Sequence, residues 1–166
     1  DRFSRRIIGW ALGKRRTAAL TIAALQRAIR LRKPPAGVFF HSDRGVEYGS
    51  RLYKQALSKH GFIQSMNRPG SMNDNAHMES FFHTLKLEGL YKMRFDQDPP
   101  LRQSLRSYFS FYNQDRLHSS LAYQPPGVFE KCHQRSLSTK PRQASANKTH
   151  GFAIFMGFVG ALHSLR

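Results

Sequence analysis

A layered α/β domain is the fold class this chain predicts, on three observations. Short apolar runs rich in β-branched and aromatic residues occur at Arg6 to Leu12, Gly37 to Phe40 and Phe62 to Met66. Between them lie stretches whose apolar residues recur at helical spacing, and this alternation builds a sheet with parallel neighbours covered by helices. The 166 residues, 40% hydrophobic and 12% aromatic, hold enough apolar material for one such core and a tail.

The first run, Arg6-Ile7-Ile8-Gly9-Trp10-Ala11-Leu12, reads as a strand bounded by charge. Thr17 caps a helix whose stripe is Ala18, Ile22, Leu25 and Ile29, and Pro34-Pro35 must stop it. Gly37 to Phe40 is the second strand and ends at Asp43. Ser50 caps the next helix, striped by Leu52, Tyr53, Ala56 and Leu57, with Gly61 placed for its C-terminal cap. Phe62 to Met66 is the third strand, parallel to the second. A turn-rich loop from Arg68 to Asn75 leads into a helix with Met78, Phe81, Phe82 and Leu85 on one face. Pro99-Pro100 opens another helix, with Leu101, Leu105, Tyr108, Phe109 and Tyr112 as its buried stripe.

From Cys132 the chain turns polar and basic without apolar periodicity, so a boundary is expected near residue 131 and a tail of low order over 132–166. Within that tail, Gly151 to Leu162 is apolar for 12 residues, short of the roughly 20 that a spanning helix needs. A helix, but no membrane span, is expected there. Cys132 is the one cysteine, which excludes an internal disulfide and a cysteine-rich zinc site and suits a reducing compartment such as the cytoplasm.

Twenty-seven Lys and Arg against ten Asp and Glu leave a formal charge of +17, which points to a polyanionic partner. Charge alone admits nucleic acid or an anionic membrane surface. Arg5-Arg6, Lys14-Arg15-Arg16 and Arg30 to Lys33 are the clusters that could meet phosphates, and each could equally be a solvated surface.

Against this background Asp43 is conspicuous, an acid at the end of a buried strand in the segment HSDRGVEYGS. Ligand chemistry in parallel α/β sheets sits at the C-terminal strand ends. Glu79 lies on the helix beginning near His77, and Glu79, His83 and Lys86 fall at i, i+4 and i+7 on one stripe. With 35 residues between Asp43 and Glu79, a helix and a strand can bring both acids to one sheet edge. Carboxylates beside a polyanion-binding surface suit magnesium, which takes hard oxygen ligands and shares them with phosphates. His41-Ser42-Asp43 holds the residue types of a hydrolase triad, but adjacent strand residues face opposite ways and cannot form the relay.

Three segments in order, HSDRG at 41–45, SMNRPGSMNDNAHMESFFHTLK at 65–86 and YNQDRLHSSLAYQPPGVFE at 112–130, resemble the catalytic core of bacterial insertion-sequence transposases. These are DDE enzymes, similar to retroviral integrases and built on the ribonuclease-H-like fold. The resemblance covers residues 1 to about 131 and implies metal-dependent cleavage and transfer of DNA strands with Mg2+, or Mn2+ in its place. It matches Asp43 to the second catalytic aspartate and Glu79 to the glutamate, both as metal ligands. Lys86 matches the basic residue near transposon-end DNA, with His83, Arg44 and Arg68 as further DNA contacts. It also implies homo-oligomers and a bacterial, nucleoid-associated location.

The first catalytic aspartate of the family lies farther upstream than the 42 residues preceding Asp43 reach. Asp1 corresponds to a later position and is not assigned as a ligand. The expectation is an incomplete core, lacking the central first strand and leaving exposed edges. A DNA-binding remnant without catalysis is the competing reading.

Overall fold

The computed structural model describes residues 1–68, 76–91, 97–138 and 153–155. Helix α1, Ala18–Arg32, starts where Thr17 accepts a hydrogen bond from the Leu20 amide. It ends at Lys33, in the left-handed region at φ 44°, whose N–H bonds Ile29 O before the two prolines. Strand β1, Phe39–Ser42, runs parallel to β2, Ile63–Met66, in the register Phe39↔Ile63 to Ser42↔Met66. Between them come the short helix α2, Val46–Gly49, and α3, Arg51–Lys59, capped by Ser50 through the Tyr53 amide. Gly61, at φ +68°, makes the turn from α3 into β2, as its placement in the sequence predicts.

Helix α4, Ala76–Thr84, passes directly into a π-helical turn, Leu85–Gly89. Helix α5, Asp98–Gln114, buries Leu101, Leu105, Tyr108, Phe109 and Tyr112, the five residues its periodicity selects. A 3-10 turn at Ser119–Leu121 leads to α6, Pro126–Ser138, which spans both sides of the expected boundary at residue 131.

Two cores result. Ile8, Leu25, Ala28, Val38, Phe40, Tyr48, Tyr53, Leu57 and Phe62 fill the space between the sheet, α1 and α3. Leu12, Leu85, Leu90 and the α5 stripe form the second, with Trp10, Phe81 and Phe82 packed on it. Leu52, expected on the buried face of α3, is exposed; Tyr53 and Leu57 carry that face instead.

Two further expectations are corrected. Residues 6–12 form no strand and join no ladder among the described residues. The Asn113 side chain pairs with Ile7 in place of a ladder, its Oδ1 accepting from Ile7 N at 2.9 Å and its Nδ2 donating to Ile7 O at 3.0 Å. Within the apolar run 151–162, Ala153–Phe155 form strand β3 where a helix was expected. The strand pairs in parallel with β1 (Phe39↔Ala153, His41↔Phe155), so the sheet order is β2-β1-β3 and the β1 edge facing away from β2 is occupied. An open strand edge binds whatever extended chain reaches it, which overrides a weak helical preference. The rest of the expected tail, 139–152 and 156–166, lies outside the described residues, and no described helix is long and apolar enough to cross a membrane.

Candidate metal and nucleic-acid site

The C-terminal ends of β1 and β2 are braced by side chains. His41 contacts Ser65 Oγ through Nδ1 at 3.0 Å and Asn67 Oδ1 through Nε2 at 2.8 Å. Asn67 N donates to Ser42 O at 3.1 Å, and exposed Arg44 donates from Nε to Asn67 O at 2.8 Å. Arg44 therefore stands beside Asp43 with one face of its guanidinium group tied to the neighbouring strand end.

Asp43 follows β1 directly and is half-buried. Its Oδ1 accepts from Gly45 N at 2.8 Å, which fixes the carboxylate over the turn into α2, and no hydrogen bond reaches its Oδ2 among the described residues. One carboxylate oxygen is thus held and the other uncommitted, a donor set suited to a hard divalent cation. A Cβ at Gly45 would lie 2.8 Å from Glu47 Oε1 and 2.9 Å from Asp43 Oδ1, so a side chain there would make the ends of these acids and of Arg16 shift. Glu47, buried in the first turn of α2, accepts from Arg16 Nε at 2.6 Å. That hydrogen bond, opposed by burial and aided by the charges of Glu47 and Asp43, holds the Arg16 guanidinium more firmly protonated than usual. Burial, followed by the Asp43 and Glu47 charges, pushes the Tyr48 hydroxyl well above its ordinary range, so it stays neutral.

Glu79 lies in the first turn of α4 and is exposed, as are His83 in the last turn and Lys86 in the π-helical turn. The stripe read from the sequence therefore faces solvent. Its helix is anchored from behind: Phe81 stacks edge-on against Tyr112 at 5.3 Å and Leu85 is fully buried. The π-helical turn is pinned by Glu88, which accepts from Arg116 Nε and Nη2, both at 2.7 Å, and from Tyr108 Oη at 3.1 Å. Arg116 also lies over the Tyr112 ring, 5.6 Å from its centroid, and Tyr112 meets His118 edge-on at 4.8 Å. The RLH segment at 116–118 thus serves to hold the turn that carries Lys86. Arg68 is exposed at the start of the loop to α4, and Asp74 lies outside the described residues. Among the described residues no three His, Cys, Asp or Glu side chains converge as a metal-binding group.

Several cations read as phosphate contacts are committed internally. Arg6 Nη1 donates to Glu130 Oε2 at 2.7 Å, and Arg32 donates to Glu130 and to Asp1 Oδ2, the latter at 3.1 Å. Asp1 Oδ1 accepts from the Phe3 amide at 2.9 Å, so this buried carboxylate is a structural anion. Arg16 serves Glu47 in the same way. No periodic signal marked Glu47: it sits between Val46 and Tyr48 in a four-residue helix too short to show one.

Two models of the integrase core domain match the chain, one over residues 1–72 and one over 60–126. An uncharacterized 31 kDa protein of insertion element IS600 from Shigella sonnei is 42% identical over 136 residues, covering 81% of this chain and 50% of its own length. The transposase for insertion sequence element IS904 from Lactococcus lactis is 37% identical over 132 residues, covering 79% and 52%. Transposase InsF of insertion sequence IS3A from Escherichia coli is 40% identical over 131 residues, covering 78% and 46%. The chain spans about half the length of these curated relatives.

Among solved structures, the catalytic core domain of BIV integrase superposes with a TM-score of 0.51 at 15% identity, over 73% of this chain and 76% of that one. A chain of the simian T-cell lymphotropic virus intasome, in complex with a PP2A regulatory subunit, gives 0.56 at 16% identity, over 82% and 45%. These likenesses show the fold: an incomplete ribonuclease-H-like sheet with its helices. By sequence and by fold, residues 1–126 match the integrase core domain, and the chain is similar to these insertion-sequence proteins.

Proposed function

We propose that this chain is the DNA-binding and carboxylate-bearing part of a DDE transposase core, serving metal-dependent DNA strand cleavage and transfer. The observation that carries the reading is Asp43 at the C-terminal end of a parallel strand, one oxygen fixed by Gly45 and the other uncommitted. Asp43 and Glu79 would hold magnesium or manganese. When bound, such an ion supplies Lewis-acid stabilisation of phosphoryl oxygens and a more acidic attacking hydroxyl. Lys86, His83, Arg44 and Arg68 contact DNA phosphates, and Arg44 keeps its position through Asn67.

A second reading, DNA binding without strand chemistry by these 166 residues alone, is favoured by Asp1. Its carboxylate is spent on Arg32 and two backbone amides, so it does not complete a three-acid site. Labelled insertion-sequence ends test both readings. Residues 1–166 are expected to bind them with affinity falling steeply with salt, and to nick or join them no faster than the Glu79→Ala variant does. Turnover that Glu79→Ala abolishes would establish catalysis by the chain alone and overturn the second reading. Salt-insensitive binding, or none, would overturn both.

A further inference from the structure

A carboxylate near a helix N-terminus is ordinary, but Glu47 has a side chain only 1% exposed. Its Oε1 is paired with Arg16, while its Oε2 is buried with no hydrogen-bond partner. A buried polar oxygen left bare is uncommon in a native fold and calls for something that satisfies it. The neighbourhood supplies a candidate. Glu47 Oε1 and Asp43 Oδ1 lie 2.8 and 2.9 Å from one point beside Gly45, so the two oxygens stand no more than the sum of those distances, 5.7 Å, apart. Oxygens sharing one magnesium ion are at most about 4.2 Å apart, a separation that lies within this bound. A guanidinium group is the cation now beside both acids, and the Arg16 side chain, 46% exposed, can swing to solvent.

We propose that Asp43 and Glu47 form a divalent-cation site whose counter-charge in this structure is the Arg16 guanidinium, which an arriving cation displaces. The inference rests on Asp43 being the metal-holding acid proposed above, and adds Glu47 as a ligand and Arg16 as its gate. A cation binding here takes over from Arg16 the charge compensation of Glu47 Oε1 and Asp43 Oδ1. It also frees Arg16 to join Lys14 and Arg15, so metal loading converts an internally neutralised cation into one available to DNA.

The test is a Mn2+ titration of residues 1–166 by calorimetry, with melting temperatures measured with and without the ion. Competition requires that removing Arg16 strengthen cation binding, so Arg16→Gln is expected to bind Mn2+ at least about fivefold more tightly than the parent chain. Glu47→Gln is expected to bind about tenfold more weakly, and Mn2+ is expected to raise the melting temperature of Arg16→Gln more than that of the parent. Unchanged affinity in Arg16→Gln overturns the proposal. If Glu47→Gln does not fold, the Arg16→Gln arm decides alone, because a merely structural arginine lowers stability without raising cation affinity. Loss of binding in Asp43→Asn and Glu79→Gln, with Glu47→Gln and Arg16→Gln unchanged, overturns this site and leaves the Asp43–Glu79 reading standing. Undiminished binding in Asp43→Asn overturns both.

Discussion

Arg116 and Glu88, 28 positions apart, are joined by two parallel guanidinium–carboxylate bonds of 2.7 Å. The pair closes the π-helical turn that carries Lys86, and π-helical turns inside α-helices often mark functional segments. Hydrogen bonding from Arg116 holds the Glu88 carboxyl below its usual range. Because the folded value is depressed, this stabilisation is present above the ordinary carboxylate range and lost as pH falls through the folded value.

Arg116→Lys keeps the charge and loses the fork. The pair is partly exposed, so screening limits the loss of stability to about 0.5–1 kcal/mol. DNA affinity is expected to fall more than so small a loss of stability would explain, since the turn presenting Lys86 loosens. Thermal melting and anisotropy titration on one preparation separate the two effects; equal DNA affinity in Arg116→Lys and the parent removes the positioning role.

Glu130 is the acid-sensitive point of the fold. Burial pushes its carboxyl up, but hydrogen bonds from Arg32, Ser4 and Arg6 outweigh this and hold it at about 2, against an ordinary 4.5. Stability from this group is complete above about pH 4.5 and lost as pH falls towards 2. The shift corresponds to about 3 kcal/mol. Chemical denaturation of the parent should show that slope, and Glu130→Gln should flatten it while lowering stability at neutral pH by about 3–5 kcal/mol, since Arg6 and Arg32 lose their buried partner.

Asn113 replaces a missing ladder for Ile7, so Asn113→Leu leaves both an N–H and a C=O unpaired in a half-buried run. A loss of about 2–4 kcal/mol is expected, and Asn113→Asp, which keeps the acceptor only, should lie between. Fast exchange of the Ile7 amide in the leucine variant and slow exchange in the parent would confirm the bond's role.

Lys86→Ala should weaken DNA binding uniformly across sequences and reduce the salt slope by about one, the mark of a single phosphate contact. Arg32→Ala has the opposite signature: an unchanged slope with a lowered melting temperature, because Arg32 is spent on Glu130 and Asp1. A reduced slope in Arg32→Ala would return it to the DNA-facing set.

What the sequence disclosed divides along physical lines. Local determinants were legible: the Thr17 and Ser50 caps, the αL turn at Gly61, the α5 stripe and the parallel β1/β2 pair all follow from periodicity or from one residue's own chemistry. Asp43 stands at the strand end that the pattern assigns it, and Glu79, His83 and Lys86, read as one stripe beside the apolar face, are exposed. What failed depends on residues far apart. Arg6 and Arg32 look like surface charge until Glu130, 124 and 98 positions away, claims them. A run such as 6–12 has strand composition whether or not a partner strand lies beside it.

Ile7 depends on Asn113, 106 positions further along, and Arg6 on Glu130, so the N-terminal run, though Ile8 packs in the first core, is not fully anchored until the last helices exist. At ribosomal speeds of about 5–20 residues per second, Ile7-Ile8-Gly9-Trp10 would wait roughly 5–20 s after emerging before its anchor is synthesised. Docking contacts of such high sequence separation also form slowly. For that interval the growing chain displays an unpaired apolar segment next to a dense positive charge, and its yield should depend on holdase chaperones more than its final stability implies.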